Sequence, residues 1–359
     1  LEFRRVLFRS FLLLAALLGA APALAQSVVK TENVRAELIS ERATVKAGEP
    51  FWVGLHQTIR PKWHTYWKNP GDAGQPTQIR WTLPEGVTAD AIAWPAPTLY
   101  DVGGIINYGY QDDVLLLVRI TPAASFKGER LKLAAEAEWL VCEDVCIPEE
   151  GKFALDLPVE PAARPASPET LALFDRARRS VAMDSPWPAR FGLDKAGNPT
   201  LVVDAKGLKP DAIRDVYFFP AEWGPVAHMA KQQASVTATG IRIPLKKGDA
   251  KGAAPQQLQG LLVLTEKTAD GSHRQAFDVT AKYDAGIAAA SAAPALAAAE
   301  TLSIVEALLF ALLGGLILNL MPCVFPVLAM KAASFAALAG HAKSEMRGDG
   351  LAYTAGVLL

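Results

Sequence analysis

Cysteine is nearly absent from this sequence. Its 359 residues include three, Cys142, Cys146 and Cys323. That is too few for a disulfide-stapled scaffold, and the odd count leaves one thiol without a partner in the chain as given. An excess of charge of either sign is missing as well. The formal net charge is −1, from 36 Lys and Arg against 37 Asp and Glu, so no basic face for nucleic acid is implied. No glycine-rich phosphate loop, serine nucleophile elbow or paired-carboxylate pattern stands out. His56, His64, His228, His273 and His341 are scattered, and nothing in their spacing demands a metal. Turn chemistry, in contrast, is abundant: 25 prolines and 27 glycines fit a turn-rich β protein better than a helical one.

The chain opens on Leu1 rather than Met and stops at Leu359 inside a new apolar stretch, residues 351–359. A fragment of a longer protein is therefore expected. Arg4, Arg5 and Arg9 lead into the apolar run 11–20, and Ala23-Leu24-Ala25 follows. A charged start, an apolar core too short to span comfortably and a small-x-small site read as a secretory signal over residues 1–25, the alternative being an uncleaved anchor. Export sets the next segment in an oxidising compartment, where a cysteine pair can close.

Residues 28–157 read as β. Residues 34–40, 51–56, 79–83 and 131–140 alternate apolar with polar, while 114–120 is one continuous apolar run fit for a buried strand. Pro158, Pro161, Pro165 and Pro168 mark a linker over 158–168. Residues 169–181 suit one helix with Ser167 as its cap. Strand patterns return at 201–203, 216–219, 241–243, 261–264 and 277–279, giving a second, cysteine-free β domain over 169–284. The alanine-rich segment 285–300 reads as a tether. Residues 302–330 are the longest apolar run and read as a first membrane span, with a second starting near 350. Lys331, Lys343 and Arg347 follow that run, and the tether before it carries no Lys or Arg. The positive-inside rule then places residues 26–301 outside, in agreement with the signal peptide. The expected fold is mainly β: two immunoglobulin-like β-sandwich domains, then the start of an α-helical polytopic membrane domain.

Two places carry candidate chemistry. In Trp139-Leu140-Val141-Cys142-Glu143-Asp144-Val145-Cys146-Ile147-Pro148 the thiols are four residues apart. Fully extended, their Cα atoms would stand ~13 Å apart, whereas a disulfide needs about 4.4–6.8 Å, so the backbone must turn between them. So short a loop gains little closure entropy, which favours a redox-active pair over a structural staple. The metal-binding alternative is thin, because no histidine lies in the loop. Glu143 and Asp144 disfavour a thiolate, which suits a disulfide attacked by another protein's thiolate better than a pair that attacks first. The second place is Cys323, bracketed by Pro322 and Pro326 at membrane depth. Each proline removes a backbone donor, and lipid tolerates freed backbone groups only where protein or water meets them. A helix broken around a reactive cysteine is one reading, and a helix end with an inert thiol is the other. Trp63-His64-Thr65-Tyr66-Trp67, running into Asn69-Pro70-Gly71, is a third conspicuous stretch. It reads either as core and edge-strand packing or as a lid or docking surface near the cysteines.

At these residues a resemblance enters. Met321-Pro322-Cys323-Val324-Phe325-Pro326-Val327, with Gly314, Gly315 and Asn319 before it, resembles the first transmembrane segment of the thiol:disulfide interchange protein DsbD family. Trp63 to Trp67, then Asn69-Pro70-Gly71-Asp72-Ala73-Gly74 with Pro76, and the Trp139 to Pro148 stretch resemble the N-terminal domain of the DsbD relatives called ScsB. The resemblance covers most of residues 28–157 and the membrane run, and is less specific between them. It implies a protein-disulfide reductase relay without a bound cofactor. Cytoplasmic thioredoxin reduces a membrane cysteine pair, to which Cys323 would belong. A thioredoxin-like domain then reduces the N-terminal pair, Cys142 and Cys146, which passes electrons to periplasmic thioredoxin-like or disulfide isomerase proteins. Trp63, His64 and Tyr66 would support that pair, and Pro322 and Pro326 would break the helix at Cys323. The family's second membrane cysteine and C-terminal C-x-x-C are not in this sequence. The implied location is the bacterial inner membrane, multi-pass in the lipid bilayer. A different class competes: a membrane-tethered, copper-related β-sandwich binding module with a structural disulfide.

Overall fold

The computed structural model describes residues 27–249, 255–268 and 271–287. The expected signal peptide, most of the expected tether, and the membrane run with Pro322, Cys323 and Pro326 lie outside the described residues. Among the described residues no helix is long and apolar enough to cross a membrane.

The protein is mainly β. The first part runs β1 (Val28–Lys30), β2 (Val34–Ser40), β3 (Arg42–Thr44), β4 (Phe51–Ile59), β5 (Thr65–Gly71), β6 (Gln78–Thr82) and β7 (Val87–Ala89). It continues with β8 (Thr98–Val102), β9 (Ile105–Tyr110), β10 (Asp113–Pro122), β11 (Arg130–Cys142), β12 (Cys146–Pro158) and β13 (Arg164–Pro165). Helix α1 (Pro168–Ser180) follows, then β14 (Met183–Asp184), β15 (Ala189–Leu193), β16 (Pro199–Val203) and β17 (Ile213–Pro220). The last are β18 (Ser235–Thr237), β19 (Gly240–Pro244), β20 (Gln257–Thr268) and β21 (Gly271–Tyr283).

A five-stranded sheet, β1-β2-β4-β10-β7, faces the three-stranded sheet β12-β11-β6. Side-chain parity explains the layer between them, since successive residues of a strand point to opposite faces. Leu131, Leu133, Ala135 and Ala137 of β11 meet Ala36, Leu38, Val53, Leu55, Leu116 and Val118 in one core. The uninterrupted apolar run of β10 is buried on both faces. Leu116 and Val118 point into that core, while Leu115 and Leu117 meet Phe174 and Ala177 of α1. Fully burying each such side chain stabilises by about 1.5–3 kcal/mol. Helix α1 begins where Ser167 Oγ accepts the Thr170 N–H at 3.3 Å, with Pro168 in its first turn. The proline-rich residues ahead of it are fastened to the first sandwich: Val45 bridges Val159, and β13 pairs with β3.

The eight-stranded sheet after α1 has the order β17-β20-β21-β15-β16-β19-β18, with β14 pairing on β21. It wraps a core of its own that includes Phe191, Leu201, Phe218, Ile243, Leu262 and Val279. Parity then assigns neighbouring residues to different cores. Phe218 and Leu262 fill this core, whereas Phe219, Leu261 and Val263 join the core of the first part. The seam between the two runs through the small sheet β5-β9-β8. Trp67 of β5 and Tyr108 of β9, both wholly buried, meet Phe219 edge-on at 6.3 and 5.0 Å between ring centroids.

Candidate functional site

β11 and β12 form a hairpin whose register runs from Arg130↔Pro158 to Cys142↔Cys146. The turn required between the cysteines is the loop Glu143-Asp144-Val145. Directly opposed residues of an antiparallel pair share a face, and Cys142 and Cys146 are joined by a disulfide, Cα to Cα 4.2 Å.

The two sulfurs have unequal surroundings. Along β11 the odd-numbered residues from Leu131 to Val141 point into the core, so Cys142 belongs to the outer face. It is nevertheless only 2% exposed, because the chain just before β5 lies across it. His64 N–H donates to Cys142 O at 2.9 Å, and Cys142 N–H donates to His64 O at 3.0 Å. Cys146, by contrast, is exposed, beside Asp144 and Val145, also exposed. The Tyr66 hydroxyl stands 3.7 Å from Cys146 Sγ.

Aromatic rings surround the buried side. His64 meets Tyr66 edge-on at 5.0 Å and stacks on Tyr100 of β8 at 5.4 Å. Asn107 Nδ2–H donates to His64 Nε2 at 3.4 Å, which fits a neutral ring. Burial lowers the His64 pKa below its ordinary 6.5 and pushes the Tyr66 hydroxyl up to about 12. Tyr66 therefore keeps its proton at neutral pH and can donate a hydrogen bond to a sulfur.

The base of the hairpin tip is held by Glu149. Its partner in register is Trp139, so both face the core. The carboxylate accepts from Trp139 Nε1 (3.1 Å), Asn33 N (3.0 Å), Asn33 Nδ2 (3.1 Å) and Thr31 Oγ1 (2.5 Å). A buried charge with four donors is tolerated, whereas the same charge without them would not be.

The structure thus brings together Cys142, Cys146, His64 and Tyr66. Trp63 is buried in the core of the sandwich. His64, Tyr66 and Trp67 are likewise buried, so the aromatic stretch packs beside the disulfide instead of presenting a free surface. Sequence reasoning missed Tyr100, Asn107 and Glu149. The alternation of Ile106, Tyr108 and Tyr110 was the available signal for β9. Among the described residues no group of three or more His, Cys, Asp or Glu is placed to hold a metal ion.

Fold and site together define a β-sandwich protein with a half-open disulfide at a hairpin tip. Residues 35–158 match the family model for the N-terminal part of the thiol:disulfide interchange protein DsbD. The chain carries a DsbD/ScsB-like N-terminal domain. Among solved structures it is similar to the N-terminal periplasmic domain of ScsB from Proteus mirabilis, at 18% identity and a TM-score of 0.53. That match covers 72% of this chain and 98% of the other. At that identity the likeness speaks for the fold. The GAE domain of yeast GGA1 is 12% identical and covers 36% of this chain and 96% of its own, but its TM-score of 0.22 carries no argument. No curated protein matches the chain.

Proposed function

We propose that the Cys142–Cys146 disulfide is redox-active and exchanges electrons with dithiol proteins. The inequality of the sulfurs carries this reading: Cys146 is open to an incoming thiolate, and Cys142 is closed off behind it. A partner's thiolate attacks Cys146 Sγ, the Sγ–Sγ bond breaks, and Cys142 leaves as a thiolate that takes a proton from water. The partner's second thiolate then attacks its own sulfur in the mixed disulfide, and Cys146 leaves as a thiolate. The protonated Tyr66 hydroxyl is placed to donate to it. Cys146 also takes a proton from water, and two electrons have moved: the partner is now a disulfide and Cys142 and Cys146 are thiols. The reverse sequence reduces a downstream disulfide.

In this reading the catalytic residues are Cys142 and Cys146, and Trp63, His64 and Tyr66 support them. Cys323, between Pro322 and Pro326, acts upstream at membrane depth. Electrons come from cytoplasmic thioredoxin and end on periplasmic thioredoxin-like or disulfide isomerase proteins. The family match over residues 35–158 supports membership of such a relay. The chain then sits in the inner membrane of a bacterium, with both β parts outside.

The test is to find which sulfur is attacked. The oxidised chain is mixed with reduced glutathione, quenched with acid at early times, and the first adduct is located by mass. The adduct is expected on Cys146. A first adduct on Cys142 would overturn the mechanism.

A further inference from the structure

We infer that the second β part is a working component of the redox site, with His228 a positioning residue that fixes Tyr66 against Cys146. This rests on the function proposed above. The route is short and runs through named hydrogen bonds and one ring contact. The pairing of β5 with β9 shifts register between Tyr66 and Gly71, so the chain bulges just past the tyrosine. Gly71 adopts φ +92°, and a Cβ there would stand 2.2 Å from Ile106 O. Gly74 adopts φ +108°, and a Cβ there would stand 2.2–2.5 Å from three carbons of the Tyr66 ring. Residues 71–74 are therefore the seat of that ring, and a shift of the seat moves the hydroxyl next to Cys146.

Two side chains tie this seat to the second part. Asn69, itself buried, accepts the Gly71 N–H at 3.1 Å and donates from Nδ2 to Pro220 O at 2.8 Å. Asp72 accepts the Ile106 N–H at 2.9 Å through Oδ2, and its Oδ1 lies 3.1 Å from His228 Nδ1. The His228 side chain is 2% exposed and meets the Tyr108 ring edge-on at 5.2 Å. Its Nε2 is buried without a hydrogen-bond partner among the described residues. Burying a polar nitrogen unpaired costs free energy. Adhesion between the two parts does not require it, since Trp67, Tyr108 and Phe219 already supply an apolar seam. What His228 adds is a fixed direction for Asp72, and through it a fixed seat for Tyr66. The second β part carries no cysteine, so contacts of this kind are its route to the chemistry.

The full chain is equilibrated in glutathione redox buffers, and the equilibrium constant for reducing Cys142–Cys146 is compared among variants. Tyr66→Phe removes the donor to the reduced sulfur and is expected to lower that constant about fivefold, which is ~20 mV for a two-electron couple. His228→Ala is expected to lower it by a similar factor. The double variant is expected to fall no further than either single one, because both act through one hydroxyl. His228→Asn, whose amide nitrogen takes the place of Nδ1, restores most of the loss. A purely structural His228 would change the melting temperature and leave the equilibrium constant alone. An unchanged constant in His228→Ala, or a loss that persists in full when Tyr66 is already Phe, overturns the inference. Should His228→Ala not fold, Asp72→Asn keeps the volume, weakens the pair and is read the same way. A wild-type potential below about −300 mV, the range of structural disulfides, would instead sink the proposed function.

Discussion

Two long hairpins of the same build dominate the two β parts. β11 and β12 pair from Arg130↔Pro158 to Cys142↔Cys146, and β20 and β21 pair from Gln257↔Lys282 to Thr268↔Gly271. At the far end of the second, Lys267, Thr268, Gly271, Ser272 and His273 are all exposed. At the far end of the first, one residue of the closing pair is buried and the other exposed. The difference comes from neighbours. His64 bridges Cys142, Tyr66 touches Cys146, and Glu149 draws Thr31, Asn33 and Trp139 together just below the tip. A hairpin end becomes a candidate exchange site when another strand closes off one sulfur and leaves the other open.

The comparison can be broken or sharpened by mutation. The largest effect is expected from Cys146→Ala, which makes the first tip as inert as the second. Two-electron exchange with dithiothreitol, followed by mass-counted alkylation, should vanish. Next comes Glu149→Ala, which leaves buried donors on Trp139 and Asn33 unpaired and is expected to cost about 3 kcal/mol of unfolding free energy in urea titrations. The counterpart near the other tip, Glu266→Ala, removes a carboxylate with no such donors among the described residues and should stay within about 0.5 kcal/mol. Tyr66→Phe is smaller: exchange survives, slowed about fivefold in stopped-flow traces, the size of one ordinary hydrogen bond at about 1 kcal/mol.

The smallest effect is one of pH. Burial depresses the pKa of His64 below 6.5, so the unfolded chain binds a proton that the folded chain refuses. Its stabilising share is complete above the unfolded value and is lost as pH falls through 6.5 toward the depressed folded value. Urea midpoints should therefore decline between pH 7.5 and 5.5, and His64→Gln should flatten that decline.

Much of the scaffold was legible in the sequence, and much of the site was not. The unbroken apolar run of β10 announced a strand buried on both faces, and the structure supplies a sandwich core on one side and α1 on the other. The helix expected over 169–181 is present as Pro168–Ser180, capped by Ser167 as anticipated. These are local patterns, read within a few residues. The contacts that make the disulfide unequal are not local. Glu149 and Asn33 are 116 residues apart, Tyr66 and Cys146 are 80 apart, and Asp72 and His228 are 156 apart. β8 and β9 are short and joined through Gly103-Gly104, and β9 shows in the sequence only as the alternation of Ile106, Tyr108 and Tyr110. Spacing alone required a turn between Cys142 and Cys146, but only the tertiary fold decides which sulfur faces solvent.

The most direct test of the central claim is the reduction potential of Cys142–Cys146 in the full chain, from equilibration in glutathione or dithiothreitol buffers with alkylated thiols counted by mass. The account predicts a value between about −180 and −270 mV, among proteins that exchange disulfides in service. A value below about −300 mV would mark a structural disulfide and contradict it.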